Sequence, residues 1–503
     1  MPRDVGVRRL ASVLAALLAA ALLLSACTAP ASQMNQPLRT GANGKPDFLA
    51  NYGLGRYFSN LSRNTANAAD AADSDILLFV TISGGGKRSA AFGHGALRGL
   101  RDIALHPPDG RVISMLNALD YISGVSGGSF PAAHYGLYRA RSFETFPSDF
   151  LYVDVNAYMW GIYTLPWNWA WMVDPLVGTN DYMAQVYDRL MFHGATFADL
   201  ARIGQPIVSI NATDIVNGTT FPFIGLNFGL LCSDLNSFPI ARAVAASNGF
   251  PGLFGPVTLK SYAERCGGAR PPLATAPAVS PPETEDTAAR RRELARIESI
   301  YADPARTKWV HLLDGGIADN LALRGLLSFF ISLQSDAALF QHTALGTRRV
   351  LVISIDGEAE APYQLGLQRS VGGLLETLSA ASGTQIDAYN FETLALARVH
   401  VAHLADRIRA IRCAKAPVIY GHPCGDVRGD LVHISLSDIA DQATRERLAR
   451  IPTGLTIPRE DVNALMQYGE ALVRDNKLIR AVADQADFVP LLAPPSAPSV
   501  ASR

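Results

Sequence analysis

The sequence predicts an α/β protein built on a mainly parallel sheet. Short apolar, β-branched runs, with Ile76–Ile82 and Val350–Ile355 the clearest, read as strands buried on both faces. Stretches of helical character separate them, the arrangement that makes parallel pairing possible. Two early runs pass straight into glycine-rich turns and then into helical sequence, giving the order strand, turn, helix twice. Further strands are predicted at Leu119–Ile122, Ile207–Ile210 and Val310–Leu313, and an amphipathic helix at Val462–Leu478.

Composition supports a large core. The chain has 503 residues, 49% hydrophobic and 18% charged, which excludes a disordered, collagen-like or disulfide-scaffold protein. Forty-four basic residues against 45 acidic ones leave a net charge of −1, so no global basic field exists to attract nucleic acid.

The first 26 residues read as a signal segment rather than fold. Arg3, Arg8 and Arg9 precede the apolar run Leu10–Leu24, which is short for a membrane span and suits a signal h-region. The run ends in Leu24-Ser25-Ala26-Cys27, which resembles a bacterial lipobox. Cys27 would then be the lipidated first residue of an exported chain held in the cell envelope. Thr28 rather than Asp follows it, which permits the outer membrane. Four other cysteines remain, and the local pairings are Cys232 with Cys266 and Cys413 with Cys424. Their spacings fit no zinc ribbon and HExxH is absent, so no metal is expected.

Residues 27–70 read as a tether and lead-in, 71–485 as the main domain, and 486–503 as a frayed tail rich in Pro, Ala and Ser. Two insertions interrupt the main domain. Residues 267–292 are Pro-rich and acidic, and read as a mobile surface segment. Residues 141–200 carry Trp160, Trp167, Trp169 and Trp171 with Tyr158 and Tyr163. Either an aromatic mini-core or a lid that meets lipid fits such a cluster. Burial is the commoner fate of clustered Trp and is the expectation here.

Three motifs carry chemistry. Gly124-Val125-Ser126-Gly127-Gly128 is a G-x-S-x-G after a strand, where a sharp turn exposes the serine and flanking glycines avoid Cβ collisions. The helix that follows points free N–H groups at Ser126; Ser129 lies past the turn and belongs in that helix. Ser83-Gly84-Gly85-Gly86-Lys87-Arg88 offers backbone N–H groups for an anion nest or oxyanion hole, with Arg88 free to hold a phosphate or brace the loop. It does not satisfy G-x-x-x-x-G-K-[ST], so nucleotide binding is not expected. Asp314-Gly315-Gly316 ends a predicted strand and places a carboxylate at the sheet edge where Ser126 should sit, in reach to act as general base. Asp-Gly is also a common turn cap. His134, His311, His400 and His433 are the alternative bases, but none lies in a stretch that resembles a catalytic loop.

These residues, in this order, resemble the patatin-like phospholipase family: a glycine-rich oxyanion segment, G-x-S-x-G and D-G-[GA]. The S-G-G-G-x-R form is similar to that of cytosolic phospholipases A. Patatins more often begin the segment with Asp and follow the Arg with Gly, where Ser83 and Ser89 stand here. Pro206–Asp214 and Ala245–Gly252 resemble the family's middle strand and its segment of small residues with a Pro. The resemblance implies a three-layer α/β/α domain and a Ser126–Asp314 dyad without histidine, metal or cofactor. It implies that Gly85 and Gly86 donate to the oxyanion while Gly84 shapes the turn. The implied activity is hydrolysis of acyl esters of phospholipids or lysophospholipids at a membrane surface. A carboxylesterase on other esters, or a non-catalytic surface lipoprotein on a hydrolase fold, are the alternatives.

Overall fold

The computed structural model describes residues 34–53, 74–108, 110–165, 168–169, 178–272, 274, 285–357, 369 and 374–488. Cys27, Trp167 and Trp171 lie outside them.

An eight-stranded sheet organises the described residues. Five neighbouring strands are parallel, in the spatial order Arg428–Ser435, Arg349–Asp356, Ile76–Ile82, Leu119–Val125 and Ile207–Asp214. Trp309–Leu313 then joins antiparallel to Ile207–Asp214, and Val257–Lys260 closes that side antiparallel to Trp309–Leu313. Thr219–Pro222 returns antiparallel along Ile207–Asp214. The predicted strands are all present, and the one bearing Asp314 runs against the parallel set.

Ile76–Ile82 is buried along its whole length, as a strand covered on both faces must be. Its alternate side chains meet different layers. Phe79 packs on Phe330 at 5.0 Å between ring centroids, beside Tyr121 on Phe329 at 5.1 Å, so this face meets the helix Leu323–Leu333. Ile82 faces the opposite way, against Gly93 of the helix Gly86–Arg101. That helix packs on Arg459–Arg474 so closely that a Cβ on Gly95 would stand 2.1 Å from the Met466 carbonyl oxygen. The arrangement is a sheet between two helical layers.

Several expectations need correction. The late helix is two helices, Arg459–Arg474 and Lys477–Asp484, because Asn476 caps the second through the N–H groups of Leu478 and Ile479. Part of the lead-in is built into the fold: Gln36–Pro37 pairs with Ser233–Asp234, and the Tyr52 hydroxyl accepts from Val208 N–H. Residues 285–292 of the Pro-rich insertion 267–292 begin the helix Glu285–Tyr301. The start of the tail is tied down, with Asp75 N–H donating to Asp487 O. The aromatic segment is not a buried mini-core where it is described: Trp160 is 58% exposed and Trp169 45%, with Tyr158 and Tyr163 also exposed. Both expected disulfides form, Cys232–Cys266 and Cys413–Cys424.

Candidate active site

Leu119–Val125 runs into a single turn, Ser126–Gly128, and then the helix Ser129–Tyr138. Ser126 sits at φ 48°, a strained conformation for a residue with a side chain. The neighbours make the turn possible. A Cβ on Gly127 would lie 2.0 Å from Gly86 O, and one on Gly128 2.4 Å from Ile82 O. Ser129 is in the helix, as expected, and its Oγ donates to Ser126 O at 2.6 Å.

The antiparallel strand Trp309–Leu313 brings Asp314 to the same level. Leu313 pairs with Thr213, while Val125 pairs with Asn211 on the other side of Ile207–Asp214. Ser126 Oγ then donates to Asp314 Oδ2 at 2.9 Å. Asp314 Oδ1 accepts from Gly316 N–H at 2.8 Å, which fixes the carboxylate plane. Both side chains are nearly enclosed. Burial pushes the Asp314 carboxyl up to about 6, against the lowering effect of the Gly316 N–H and the Ser126 hydroxyl. A carboxylate so placed can take the serine proton near neutral pH.

Sequence reasoning missed the third wall. Ser247 Oγ accepts from Ser126 N–H at 2.9 Å and donates to Asn211 O at 2.6 Å. Asn248 Oδ1 stands 3.2 Å from Ser126 Oγ, and its Nδ2 donates to the Tyr187 hydroxyl at 3.2 Å. Gly249 O accepts from Asp314 N–H. The segment of small residues at 245–252 was visible in the sequence, but which of its side chains turn inward was not.

The glycine segment lies against this turn. Gly84 N–H is taken by Asn320 O at 2.9 Å. Gly85 and Gly86 stand at φ 130° and 60°, and Gly86 opens the helix Gly86–Arg101, so their N–H groups precede the first intrahelical bond. Arg88 braces the loop. Its buried guanidinium donates to Gly357 O at 2.6 Å, to Ile451 O and to Thr453 Oγ1. These bonds favour the loop-bracing reading of Arg88 over the phosphate reading, because its buried donors are taken by Gly357, Ile451 and Thr453. Lys87 N–H donates to Gly454 O, and Lys87 Nζ to Val153 O.

The aromatic helix Val155–Thr164 is held at both ends beside the site. Asn156 N–H donates to Thr456 Oγ1, next to the loop that holds Lys87, and the Tyr163 hydroxyl donates to Leu253 O.

No histidine bonds Ser126 or Asp314 among the described residues. His134 Nδ1 meets Ser142, His311 Nδ1 meets Thr258, and His433 Nδ1 lies 3.4 Å from Ser354 Oγ. His400 is buried within the helix Leu374–Lys415.

With this geometry in place, the comparison with known families is decisive. The model of patatin-like phospholipases matches residues 80–327, a span that contains Gly84–Arg88, Ser126 and Asp314. Over that span the chain belongs to the patatin-like phospholipase family. Family membership supports lipid acyl hydrolase activity. Among solved structures, human GIVD cytosolic phospholipase A2 is similar at TM-score 0.39 and 10% identity, with 85% of this chain and 62% of that chain covered. The same human enzyme in complex with a methyl γ-linolenyl fluorophosphonate inhibitor and terbium chloride gives TM-score 0.37 and 11% identity over 87% and 62%. The chain thus spans under two thirds of the length of these structures. No curated protein matches.

Proposed function

We propose that this patatin-like chain is a serine acyl hydrolase that cleaves acyl esters of phospholipids or lysophospholipids through Ser126 and Asp314. The observation that carries the reading is the 2.9 Å bond from Ser126 Oγ to a buried carboxylate, at a residue held in a strained turn. Ser126 Oγ attacks the ester carbonyl as Asp314 takes its proton. The N–H groups of Gly85 and Gly86 meet the oxyanion, with Gly84 shaping the turn. Asp314 then protonates the leaving alcohol, and Ser126 carries the acyl group as an ester. Water attacks that ester with Asp314 again as base, releasing the fatty acid and restoring the serine hydroxyl.

Ser247 and Asn248 orient the nucleophile, and Arg88 keeps the glycine loop in place. We further propose that the chain is exported and anchored by acyl groups on Cys27 in the cell envelope, at the outer membrane. That position would keep the enzyme at its substrate.

Release of p-nitrophenol from butyrate and palmitate esters tests the reading, with wild type, Ser126→Ala and Asp314→Ala side by side. Wild-type turnover with both variants folded but inactive supports it. Activity retained by Asp314→Ala would place the base elsewhere, and activity retained by Ser126→Ala would end the proposal.

A further inference from the structure

We propose that one rim of the sheet, formed by the turn at Ile215 and Val216 and by Trp309, rests on an anionic phospholipid leaflet. This rests on the reading that Cys27 is acylated.

The rim is apolar and open to solvent: Ile215 is 46% exposed, Val216 68% and Trp309 44%. It is one surface, because Ile215 N–H donates to His311 O and so ties the turn to the strand Trp309–Leu313. Trp in such a place favours the headgroup zone.

Its position relative to the site follows from register. Ile207–Asp214 ends on the same side as Leu119–Val125, and the turn at Ile215 continues past that end. Trp309 pairs with Lys260 and precedes Asp314 by five residues of extended chain, which is about 17 Å. The rim therefore projects from the end of the sheet that carries Ser126.

The place where the chain joins the fold selects the occupant. Asn35 is clasped by Lys260 and Tyr262: its Nδ2 donates to Lys260 O at 2.9 Å, its Oδ1 accepts from Lys260 N–H at 2.8 Å, and its carbonyl accepts from the Tyr262 hydroxyl at 2.8 Å. Lys260 is the residue opposite Trp309. Cys27 stands eight residues before Asn35, a reach of at most about 28 Å. A domain of this size has a radius of gyration of about 21 Å, so an anchor on that length of chain reaches this rim but not the far end of the sheet. The charge around Trp309 matches an acidic leaflet. Lys260, Arg265, Arg306 and Lys308 are exposed there against one exposed acid, Glu264, and the first two lie over the Tyr262 ring.

The test uses the full mature chain, acylated on Cys27, in phosphatidylcholine vesicles that contain phosphatidylglycerol. An environment-sensitive fluorophore is placed at Val216→Cys or, as a control, at Val112→Cys. Val112 is 67% exposed and precedes the start of Leu119–Val125, at the opposite end of the sheet. Brominated acyl chains should quench the label at 216 several-fold more than the label at 112. Equal quenching, or none at 216, with the chain pelleting with the vesicles would overturn the docking surface and leave the anchor standing. If the exported chain is found by mass to carry no acyl group on Cys27, or if the acylated chain stays in the supernatant, both the anchor and the docking surface fall.

Discussion

In the proposed mechanism Asp314 sets the pH at which Ser126 can be deprotonated. Its carboxyl is raised to about 6 by burial, so the base is lost as pH falls through 6 and present above it. We expect kcat/KM on a soluble ester to be level above pH 6 and to fall about tenfold per unit below it. A profile flat down to pH 4.5 would show that another group takes the proton. Asp314→Asn keeps the shape and removes the base, and should lower kcat/KM by about 10²- to 10⁴-fold without loss of fold. For Asn248 the proposed role is orientation of Ser126 alone. Its replacement by Ala should lower kcat by less than Asp314→Asn and leave the pH profile unmoved. The three motif residues were legible because each needs a fixed residue type at a fixed turn. Ser247 and Asn248 were not, since a helix end supplies them and nothing in Ala-Ala-Ser-Asn marks which side chain faces inward.

At the scale of elements, the helix Gly86–Arg101 links the glycine loop Gly84–Gly86 to the rest of the layer. Its contact with Arg459–Arg474 depends on backbone approach, and Gly95→Ala should cost about 1–3 kcal/mol, read as a fall in thermal midpoint. The same helix buries His94 against Phe143 and Phe146, with both ring nitrogens unpartnered. Burial lowers His94 to about 3, and His134 in Ser129–Tyr138 likewise. The unfolded chain takes up these protons first as pH falls below 6.5, so each ring removes up to about 1.4 kcal/mol of stability per pH unit there. Asp314, raised in the folded state, opposes one such contribution below pH 6. His94→Phe should therefore stabilise the protein more at about pH 5 than at about pH 7.5 in thermal unfolding. An equal effect at both would assign His94 a packing role only. Element legibility followed burial. Runs covered on both faces announced themselves, whereas Arg428–Ser435 lies at the sheet edge, half exposed, and carries Arg428, Asp430 and His433. The helix Leu374–Lys415 gave no clear apolar stripe along its length.

For the molecule as a whole, the proposed function needs the exposed aromatic helix beside Ser126 and Asp314 to meet lipid. Trp160 and Trp169 lie exposed beside the site, so Trp160→Ala with Trp169→Ala should lower hydrolysis of vesicle phospholipid more than hydrolysis of p-nitrophenyl butyrate. Equal losses on both substrates would mean that these rings only support the fold. The expected α/β architecture and its central strands were readable because strands buried on both faces must be apolar throughout. The antiparallel side was not, since Trp309–Leu313 and Val257–Lys260 gain their direction from tertiary pairing. The most direct test of the central claim is covalent trapping. A long-chain alkyl fluorophosphonate should add one phosphonyl group to the wild-type chain, mapped by peptide mass to Ser126. Asp314→Asn should react far more slowly and Ser126→Ala not at all. A modified Ser126→Ala chain, or an adduct on another residue of the wild type, would contradict the account.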